Sequence, residues 1–276
     1  MLDDLSDIKA YYNNSDSEIT RLERHQLERD ITWRHLVKYL PSTGSILEIG
    51  AASGAYTVEL ARRGYDITAV DISNKLLDIC KKRISDEGLD QKVSLFISDA
   101  RDLGELGEKL FDVVLLMGPL YHLVIEEDRK SAVREAYKHT KPGGIIFSTF
   151  VSRYGIWGDI MKKIPHSIER QEDLRTILEK GKDSESNERQ ESTEFRGYFA
   201  KSSEIAPLHE EAGFKTLIVA GIEPCISADD ESYNILQGLI RKLWLDLLYE
   251  LSTEESIIAA SRHLLYIGRK PENKGL

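Results

Sequence analysis

The stretch Ser45-Ile46-Leu47-Glu48-Ile49-Gly50-Ala51-Ala52-Ser53-Gly54 determines the fold of this 276-residue chain. Its first half is mostly apolar, and its second half contains only small residues. An apolar strand that runs into small residues and then a helical pattern predicts the first strand–loop–helix unit of an α/β protein. Small residues at this point let the backbone approach a ligand closely and leave the N-terminus of the next helix open. A tight turn that holds no ligand is the alternative.

The same alternation of short apolar runs and helical patterns continues along the chain, and the run 111–117 is apolar enough to be covered on both faces. The sequence therefore predicts an α/β fold with a doubly wound, mostly parallel, seven-stranded sheet and helical cap insertions. After the first strand at 45–50, the predicted strands are 65–71, 93–97, 111–117, 144–150, 214–222 and 263–268.

Composition excludes several classes of protein. The apolar fraction of 41% is enough for a packed core and argues against overall disorder. A net charge of −10 is poorly suited to nucleic acid, whose phosphates must be neutralised. No apolar run is long enough for membrane insertion, and the acidic N-terminus does not resemble a signal peptide. Two cysteines and widely spaced histidines predict neither a disulfide framework nor a metal site. A cytoplasmic protein with reduced thiols is expected.

Two acidic residues follow strands in this pattern. Asp71 ends the second predicted strand, where an acid can accept hydrogen bonds from both ribose hydroxyls of a nucleoside. Asp99 lies just beyond the third strand and could accept from an adenine amino group. Because strand carboxyl ends converge in a doubly wound sheet, both acids and the loop after Gly50 are expected to line one pocket. The alternatives are a helix-capping role for Asp71 before Ser73, and a simple loop acid for Asp99.

These residues, with Phe111 to Leu116 and Lys141-Pro142-Gly143-Gly144, resemble the class I S-adenosylmethionine-dependent methyltransferases over about residues 45–150. The resemblance implies a Rossmann-like methyltransferase fold with an antiparallel last strand, S-adenosylmethionine as cofactor and S-adenosylhomocysteine as product. Ala52 stands where the family usually has its middle glycine. The implied cofactor contacts in this part of the chain are Glu48, Gly50, Ala51, Gly54, Asp71, Ile72, Asp99, Ala100, Leu116 and Met117.

A narrower likeness connects the chain to small-molecule methyltransferases of the ubiquinone/menaquinone-biosynthesis type. It rests on Tyr11-Tyr12 with Glu18-x-x-Arg21-Leu22, on Gly118-Pro119-Leu120-Tyr121-His122-Leu123, and on Ala212-Gly213-Phe214. In that group an N-terminal helix closes over the cofactor. The likeness therefore implies that Tyr11, Tyr12 and Arg21 hold the cofactor carboxylate, for which the arginine fork is suited. The alternative is that Arg21 pairs with an acid on its own helix, such as Glu18.

The candidate catalytic residues, Tyr121 and His122, follow the fourth strand. His122 is the best candidate for a general base, because the pKa of an unperturbed histidine lies near neutrality. A histidine bound to the backbone and a tyrosine in the pocket wall are the alternatives. The Asn/Asp-Pro-Pro-Tyr/Phe motif typical of nucleic-acid amine methyltransferases is absent from Met117-Gly118-Pro119-Leu120-Tyr121, so the expected partner is a small-molecule acceptor.

The expected domain organisation follows from these patterns: an N-terminal helical lid at 1–40, a cofactor-binding core at 41–150, a cap insertion at 151–200, and a C-terminal part of the sheet at 201–276 with a helical insertion at 224–262. The wide apolar stripe within 233–251 is expected to bury itself against the domain or to pair two chains in a homodimer.

Three functions fit the sequence. The first is in-line transfer of a methyl group from S-adenosylmethionine to a small-molecule acceptor. The second is an NAD(P)-dependent oxidoreductase, although the dinucleotide Gly-x-Gly-x-x-Gly positions hold Gly50, Ala52 and Ala55. The third is a non-catalytic cofactor-binding or scaffold protein that uses the 233–251 stripe as its interaction face.

Overall fold

The strands form a single mixed sheet in the computed structural model, which describes residues 2–14, 16–182, 196–226 and 229–272. The order across the sheet is β3-β2-β1-β4-β5-β8-β7, and the short β6 pairs with β5. The strands are β1 (Ser45–Ile49), β2 (Asp66–Asp71), β3 (Val93–Ile97), β4 (Phe111–Leu116), β5 (Thr140–Ser152), β6 (Phe199–Ala200), β7 (Lys215–Gly221) and β8 (His263–Arg269).

Strand direction confirms the predicted doubly wound sheet. Strand β8 runs antiparallel to both of its neighbours, β5 and β7, and the other pairs are parallel. The seven predicted strands are present, the fifth longer than expected. The sequence analysis missed β6, because two residues are too few to show a periodic pattern.

The chain reverses direction across the sheet between β1 and β4. From β1 it moves outward to β2 and β3, then returns to place β4 on the opposite side of β1. In α/β sheets such a switch point opens a crevice at the carboxyl ends of the strands, where ligands bind. Gly50 follows β1 at this edge and Met117 follows β4.

Helices cover both faces of the sheet and supply the additional segments. Four of them, α4, α5, α6 and α9, connect successive strands. The N-terminal α1 to α3, the insertion with α7 and α8, and the insertion with α10 to α12 lie outside this repeating pattern. The helices are α1 (Ser6–Asn14), α2 (Arg21–Arg24), α3 (Gln26–Tyr39), α4 (Ala55–Arg62), α5 (Asn74–Asp86), α6 (Glu126–His139), α7 (Trp157–Lys163), α8 (Gln171–Lys180), α9 (Ser202–Glu211), α10 (Asp230–Asn234), α11 (Gly238–Leu251) and α12 (Glu255–Ile258).

The core lies on both sides of β4, whose residues 113–116 are fully buried. Val114 and Leu116 belong to the apolar cluster on one face of the sheet, and Val113 and Leu115 to the cluster on the other. Successive side chains of a strand point to opposite faces, so one apolar run supplies two layers. Each buried aliphatic side chain contributes about 1.5–3 kcal/mol to stability.

The apolar stripe of 233–251 is divided in the structure. Tyr233 and Leu248 are buried. Leu239 and Trp244 of α11 are exposed, at 67% and 49%. The stripe thus covers the domain with one side only, and pairing of two chains through the other side stays a prediction. Every helix within the described ranges is too short or too polar to cross a bilayer.

Candidate active site

A cavity lies at the carboxyl edge of the sheet, where β1, β2 and β4 end. It is also bordered by the N-terminal segment, through Leu5 and Ile8 of the first helical region. The structure brings most of the predicted site residues together here, whereas Tyr11 lines a neighbouring cavity and neither Gly54 nor Leu116 is part of the lining. The predicted residues in the lining are Tyr12, Arg21, Glu48, Gly50, Ala51, Asp71, Ile72, Asp99, Ala100, Met117, Tyr121 and His122.

Asp71 organises the loops around this cavity. Its Oδ2 accepts a hydrogen bond from the backbone N–H of Ala52 at 2.8 Å, and its Oδ1 accepts from that of Ser73 at 2.8 Å. The Ser73 hydroxyl caps α5 by accepting from the N–H of Leu76. Burial raises the pKa of Asp71 above its usual value, against the opposing effect of these backbone hydrogen bonds. Asp71 therefore supports the loops and also lines the cavity with its carboxylate.

The glycines of the loop are required by contacts within the protein. Gly50 has φ +86°, and a Cβ there would lie 2.6 Å from Cδ of Pro119. Gly54 has φ +83°, and its Cβ would lie 2.4 Å from Sγ of Cys80. The expected reason, close approach to a ligand, is therefore not needed to explain Gly54. Ala52 also adopts the left-handed region, at φ +47°, so alanine occupies a backbone conformation that favours glycine.

Asp99 lies at the cavity in an ion pair that the sequence analysis missed. Its Oδ2 accepts from NH2 of Arg101 at 2.6 Å, and Arg101 also donates to Asp128 at 2.6 Å. Asp128 comes from α6, so the arginine ties the loop after β3 to a helix on the sheet. Asp99 therefore stabilises its own loop, which was the alternative role considered for it. Asp99 and Ala100 also line the cavity.

Glu48 is a buried acidic residue at the end of β1. Only 3% of its surface is exposed, and its Oε2 accepts a hydrogen bond from the Thr57 hydroxyl at 2.6 Å. Burial raises the pKa of Glu48 to about 8. The side chain is therefore mainly protonated at neutral pH, and it offers the cavity a neutral acid in place of a carboxylate.

This raised pKa predicts how stability varies with pH. Between pH 4.5 and 8 the folded state keeps the Glu48 proton that the unfolded state loses, so stability falls as pH rises, by about 1.4 kcal/mol per unit. Three buried histidines have the opposite effect, but only below pH 6.5, because burial lowers their pKa to about 4. We therefore expect the free energy of unfolding to fall from pH 6.5 to 8, and Glu48→Gln to flatten that slope in urea titrations. An equal slope in both proteins would contradict the assignment. The three histidines are His35, His122 and His209.

His122 is neutral and is bonded through both ring nitrogens. Because the carbonyl of Arg196 can only accept, Nδ1–H of His122 donates to it at 3.1 Å. Nε2 then accepts from the Tyr12 hydroxyl at 2.5 Å. Burial lowers the pKa of His122 to about 4. The ring lines the cavity, and its basic nitrogen is occupied by the hydroxyl of Tyr12. The neighbouring Tyr121 stays protonated, since burial raises its pKa.

Arg21 pairs with an acid, but not with the expected one. Its NH1 and NH2 donate to the two carboxylate oxygens of Glu28 at 2.9 and 2.7 Å. NH2 also lies 3.2 Å from Nε2 of His263, which must accept because a guanidinium only donates. Glu28 lies in the first turn of α3, whereas Arg21 lies on α2. The chain bends between these two helices. The partner was therefore invisible in the helical spacing that suggested Glu18.

A second cavity adjoins the first. The two share the lining residues Tyr12, Glu18, Arg21, Tyr121 and His263. One wall of the second cavity is apolar and comes mainly from the 151–200 insertion. Its members are Val151, Ile156, Ile160, Ile164, Leu174, Ile177 and Phe199.

A charged cluster that was not predicted from the sequence also borders the second cavity, through Asp159, Arg262 and His263. Arg262 donates to the carboxylates of Glu223, Asp159 and Asp230. His263 donates from Nδ1 to Oε2 of Glu223 at 2.8 Å. The members come from four separate segments, so no local spacing could have indicated them.

Two groups within this region contain residue types that bind metals. They are His25 with Glu223 and Asp230, and Glu28 with Glu223 and His263. Arginine nitrogens are bonded to members of each group, Arg262 in the first and Arg21 in the second. A guanidinium thus supplies the positive charge at both places.

Comparison with known proteins identifies the core of the fold. Residues 46–144 match the sequence profile of the family described as "Methyltransferase domain". This region is a class I S-adenosylmethionine-dependent methyltransferase domain. The match decides against the dinucleotide-dependent oxidoreductase alternative for these residues.

Curated relatives of the methyltransferase domain act on different acceptors. The chain is 38% identical over 117 residues to a magnesium-protoporphyrin O-methyltransferase of Rhodobacter capsulatus, covering 41% of this chain and 50% of the relative. It is 24% identical over 137 residues to a tRNA 5-carboxymethoxyuridine methyltransferase of Escherichia coli, covering 48% and 51%. The chain thus spans about half the length of the curated relatives it matches.

Solved structures confirm the fold over nearly the whole chain. A methyltransferase from Methanosarcina mazei has a TM-score of 0.59 at 17% identity, covering 87% of this chain and 98% of that one. The N-methyltransferase NodS from Bradyrhizobium japonicum, solved with S-adenosylhomocysteine, has a TM-score of 0.55 at 16% identity, covering 96% and 97%.

S-adenosylmethionine is the cofactor of the methyltransferase domain, and the cavity suits it chemically. The carboxylates of Asp71 and Asp99 line the cavity near the ends of neighbouring strands, where hydroxyl and amino donors of a nucleoside can meet them. Ile72, Ala100 and Leu123 add apolar surface of the kind on which a purine ring packs. These two carboxylates and the apolar surface beside them therefore fit an adenosine.

Proposed function

We propose that the whole chain is a methyltransferase that passes the methyl group of S-adenosylmethionine to a small-molecule acceptor in the second cavity. The sharing of five lining residues by the two cavities carries this proposal. In-line displacement requires the two reactants to meet, and adjacent cavities provide such a meeting point.

The cofactor supplies a methyl group bound to a positively charged sulfur. In the proposed arrangement Asp71 accepts hydrogen bonds from the ribose, with Ile72 beside it, and Asp99 and Ala100 border the adenine. Gly50, Ala51, Glu48 and Met117 border the remainder of the cofactor. Leu5, Ile8 and Tyr12 line the cofactor cavity, which supports a lid function for residues 1–40.

The proposed roles of Tyr121 and His122 differ from each other. Tyr121 lines both cavities and contributes to the surface on which the acceptor is oriented. His122 acts as a positioning residue, because it holds the hydroxyl of Tyr12 at the boundary of the cavities. Direct proton abstraction by His122 would require that hydroxyl to move away.

A small acceptor is favoured by the walls of the second cavity, since helices of the 151–200 insertion cover it. The net charge of −10 also disfavours a nucleic-acid substrate. The relatives do not select an acceptor class, because their names include a porphyrin, a tRNA nucleoside and, for a Streptomyces enzyme, the N-terminus of cypemycin.

The test is methyl transfer from labelled S-adenosylmethionine to a panel of small metabolites, with bulk tRNA in a separate arm. We expect label in a small-molecule product together with release of S-adenosylhomocysteine. Label in tRNA alone would overturn the small-molecule assignment. Cofactor binding without labelled product in either arm would favour the non-catalytic alternative.

The contacts of Arg21 lead to a prediction about cofactor binding. Its fork is already taken by Glu28, so we expect Arg21 to neutralise that acid rather than to grip the cofactor carboxylate. Arg21→Ala should then change the affinities for S-adenosylhomocysteine and for methylthioadenosine, which lacks the carboxylate, by the same factor in calorimetric titrations. A loss confined to S-adenosylhomocysteine would show that Arg21 holds the carboxylate.

A further inference from the structure

Glu18 lies at the boundary between the two cavities, in a short helical turn just before α2. Its side chain lines both cavities and is partly buried. Across residues 2–14, 16–182, 196–226 and 229–272, the structure shows no hydrogen bond or ion pair to its carboxylate. A half-buried carboxylate in this condition favours a cation beside it.

The cations that line the second cavity are already paired with acids. Arg21 is bonded to Glu28. Lys163 pairs with Asp159 at 2.8 Å. Arg170 lies 3.8 Å from Asp173.

Arg262, the remaining cation of this lining, is bonded to Glu223 and Asp230 in addition to Asp159. Among the described residues, these four cations pair with five carboxylates, of which two line the cavity and three lie outside its lining, and Glu18 adds a sixth. In this set the carboxylates outnumber the arginines and lysines by two. The polar side of the cavity is therefore suited to a ligand that brings a positive charge.

The apolar lining of the cavity indicates what the uncharged part of that ligand is like. The same cavity is lined by the seven apolar residues described above, of which Ile160 and Leu174 come from the two helices of the insertion. Such a wall buries hydrocarbon or aromatic surface, whereas the charged side binds a polar head. The combination fits a molecule with an apolar body and a cationic head.

We propose that the acceptor is an amine with an apolar body, that Glu18 binds its ammonium group, and that the reaction is N-methylation. This inference rests on the proposed function. The ammonium gives a proton to the Glu18 carboxylate, and the freed nitrogen lone pair forms a bond to the methyl carbon as the carbon–sulfur bond breaks. The electron pair of that bond stays on sulfur, giving a neutral thioether. Glu18 then releases its proton to solvent, and the product leaves as a methylated ammonium.

The partial burial of Glu18 also supports proton acceptance. Burial raises its pKa above the ordinary value, partly offset by the nearby charge of Arg21. A raised pKa makes the carboxylate a better base at neutral pH.

The test uses three probes of similar shape: 2-phenylethylamine, 2-phenylethanol and 3-phenylpropanoate. Their binding to the full chain saturated with S-adenosylhomocysteine is measured by calorimetry. We expect the amine to bind at least about tenfold more tightly than the alcohol or the carboxylate, and Glu18→Gln to remove this preference. Asp78→Asn, which alters an exposed acid on α5 outside the lining of both cavities, should leave it unchanged.

Several outcomes would overturn the proposal. Equal or tighter binding of the alcohol or carboxylate would do so, as would no measurable binding of the amine at millimolar concentration. The cofactor also carries an ammonium, so S-adenosylhomocysteine and methylthioadenosine are titrated into Glu18→Gln. Selective loss of the former, with the amine preference intact, would assign Glu18 to the cofactor. Failure of the wild type to bind S-adenosylhomocysteine would instead contradict the proposed function itself.

Discussion

Replacing Asp71 with alanine is expected to weaken S-adenosylhomocysteine binding by about 100-fold, or about 2.7 kcal/mol. The substitution removes the proposed charge-assisted contacts to the ribose, and hydrogen bonds to charged groups contribute about 1.5–3 kcal/mol. It also frees the backbone N–H groups of Ala52 and Ser73, which Asp71 now fixes at the edge of the cavity. The affinity is measured by calorimetric titration of the purified chain.

The matched control for this variant is Asp78→Ala, on the exposed side of α5, the helix that begins just after Asp71. It should bind S-adenosylhomocysteine like the wild type. Thermal unfolding of both variants without ligand separates the loss of loop support from the loss of the ligand contact. An Asp71→Ala protein with affinity within about threefold of wild type, a difference below 1 kcal/mol, would remove Asp71 from the site.

Gly54→Ala is expected to destabilise the protein by about 3 kcal/mol, the sum of two effects. A left-handed backbone costs alanine about 1–2 kcal/mol. Forcing a methyl group into the contact with Cys80 Sγ, at 2.4 Å, adds about 1–3 kcal/mol. Urea unfolding followed by circular dichroism measures the change.

Two further variants separate these effects. Gly88 also has a positive φ, +67°, but a Cβ there meets nothing within 4 Å, so Gly88→Ala should cost only about 1 kcal/mol. Adding Cys80→Ala to Gly54→Ala should recover at least about 1 kcal/mol relative to additivity, because the clashing sulfur is gone. Strictly additive effects of the two substitutions would show that the contact does not determine the choice of glycine.

The sheet and the edge that holds the site could be predicted because their signals are local. Apolar runs mark the strands; Asp71 is the last residue of β2, and Asp99 follows the end of β3 by two residues. Parallel strands deliver their carboxyl ends to one edge, so residues that follow strands converge even when they are far apart in sequence. This is why most of the predicted cofactor residues line one cavity.

The remaining features depend on contacts between distant segments. The pairing of Arg21 with Glu28 depends on a bend between α2 and α3, and the clash that demands Gly54 comes from Cys80 on the next helix. Arg262 meets acids from the 151–200 insertion and from the loops after β7. None of these pairs leaves a periodic trace in the sequence. The second cavity therefore emerges only when the insertions are placed in space.

A crystal structure of the chain with S-adenosylhomocysteine tests the central claim most directly, namely that the carboxyl edge of β1, β2 and β4 holds the cofactor next to an acceptor cavity. We expect ribose hydroxyls within hydrogen-bond distance of Asp71, adenine beside Asp99 and Ala100, and sulfur facing the boundary with the second cavity. A ligand bound elsewhere, or a sulfur closed off from Glu18 and Tyr121, would contradict it.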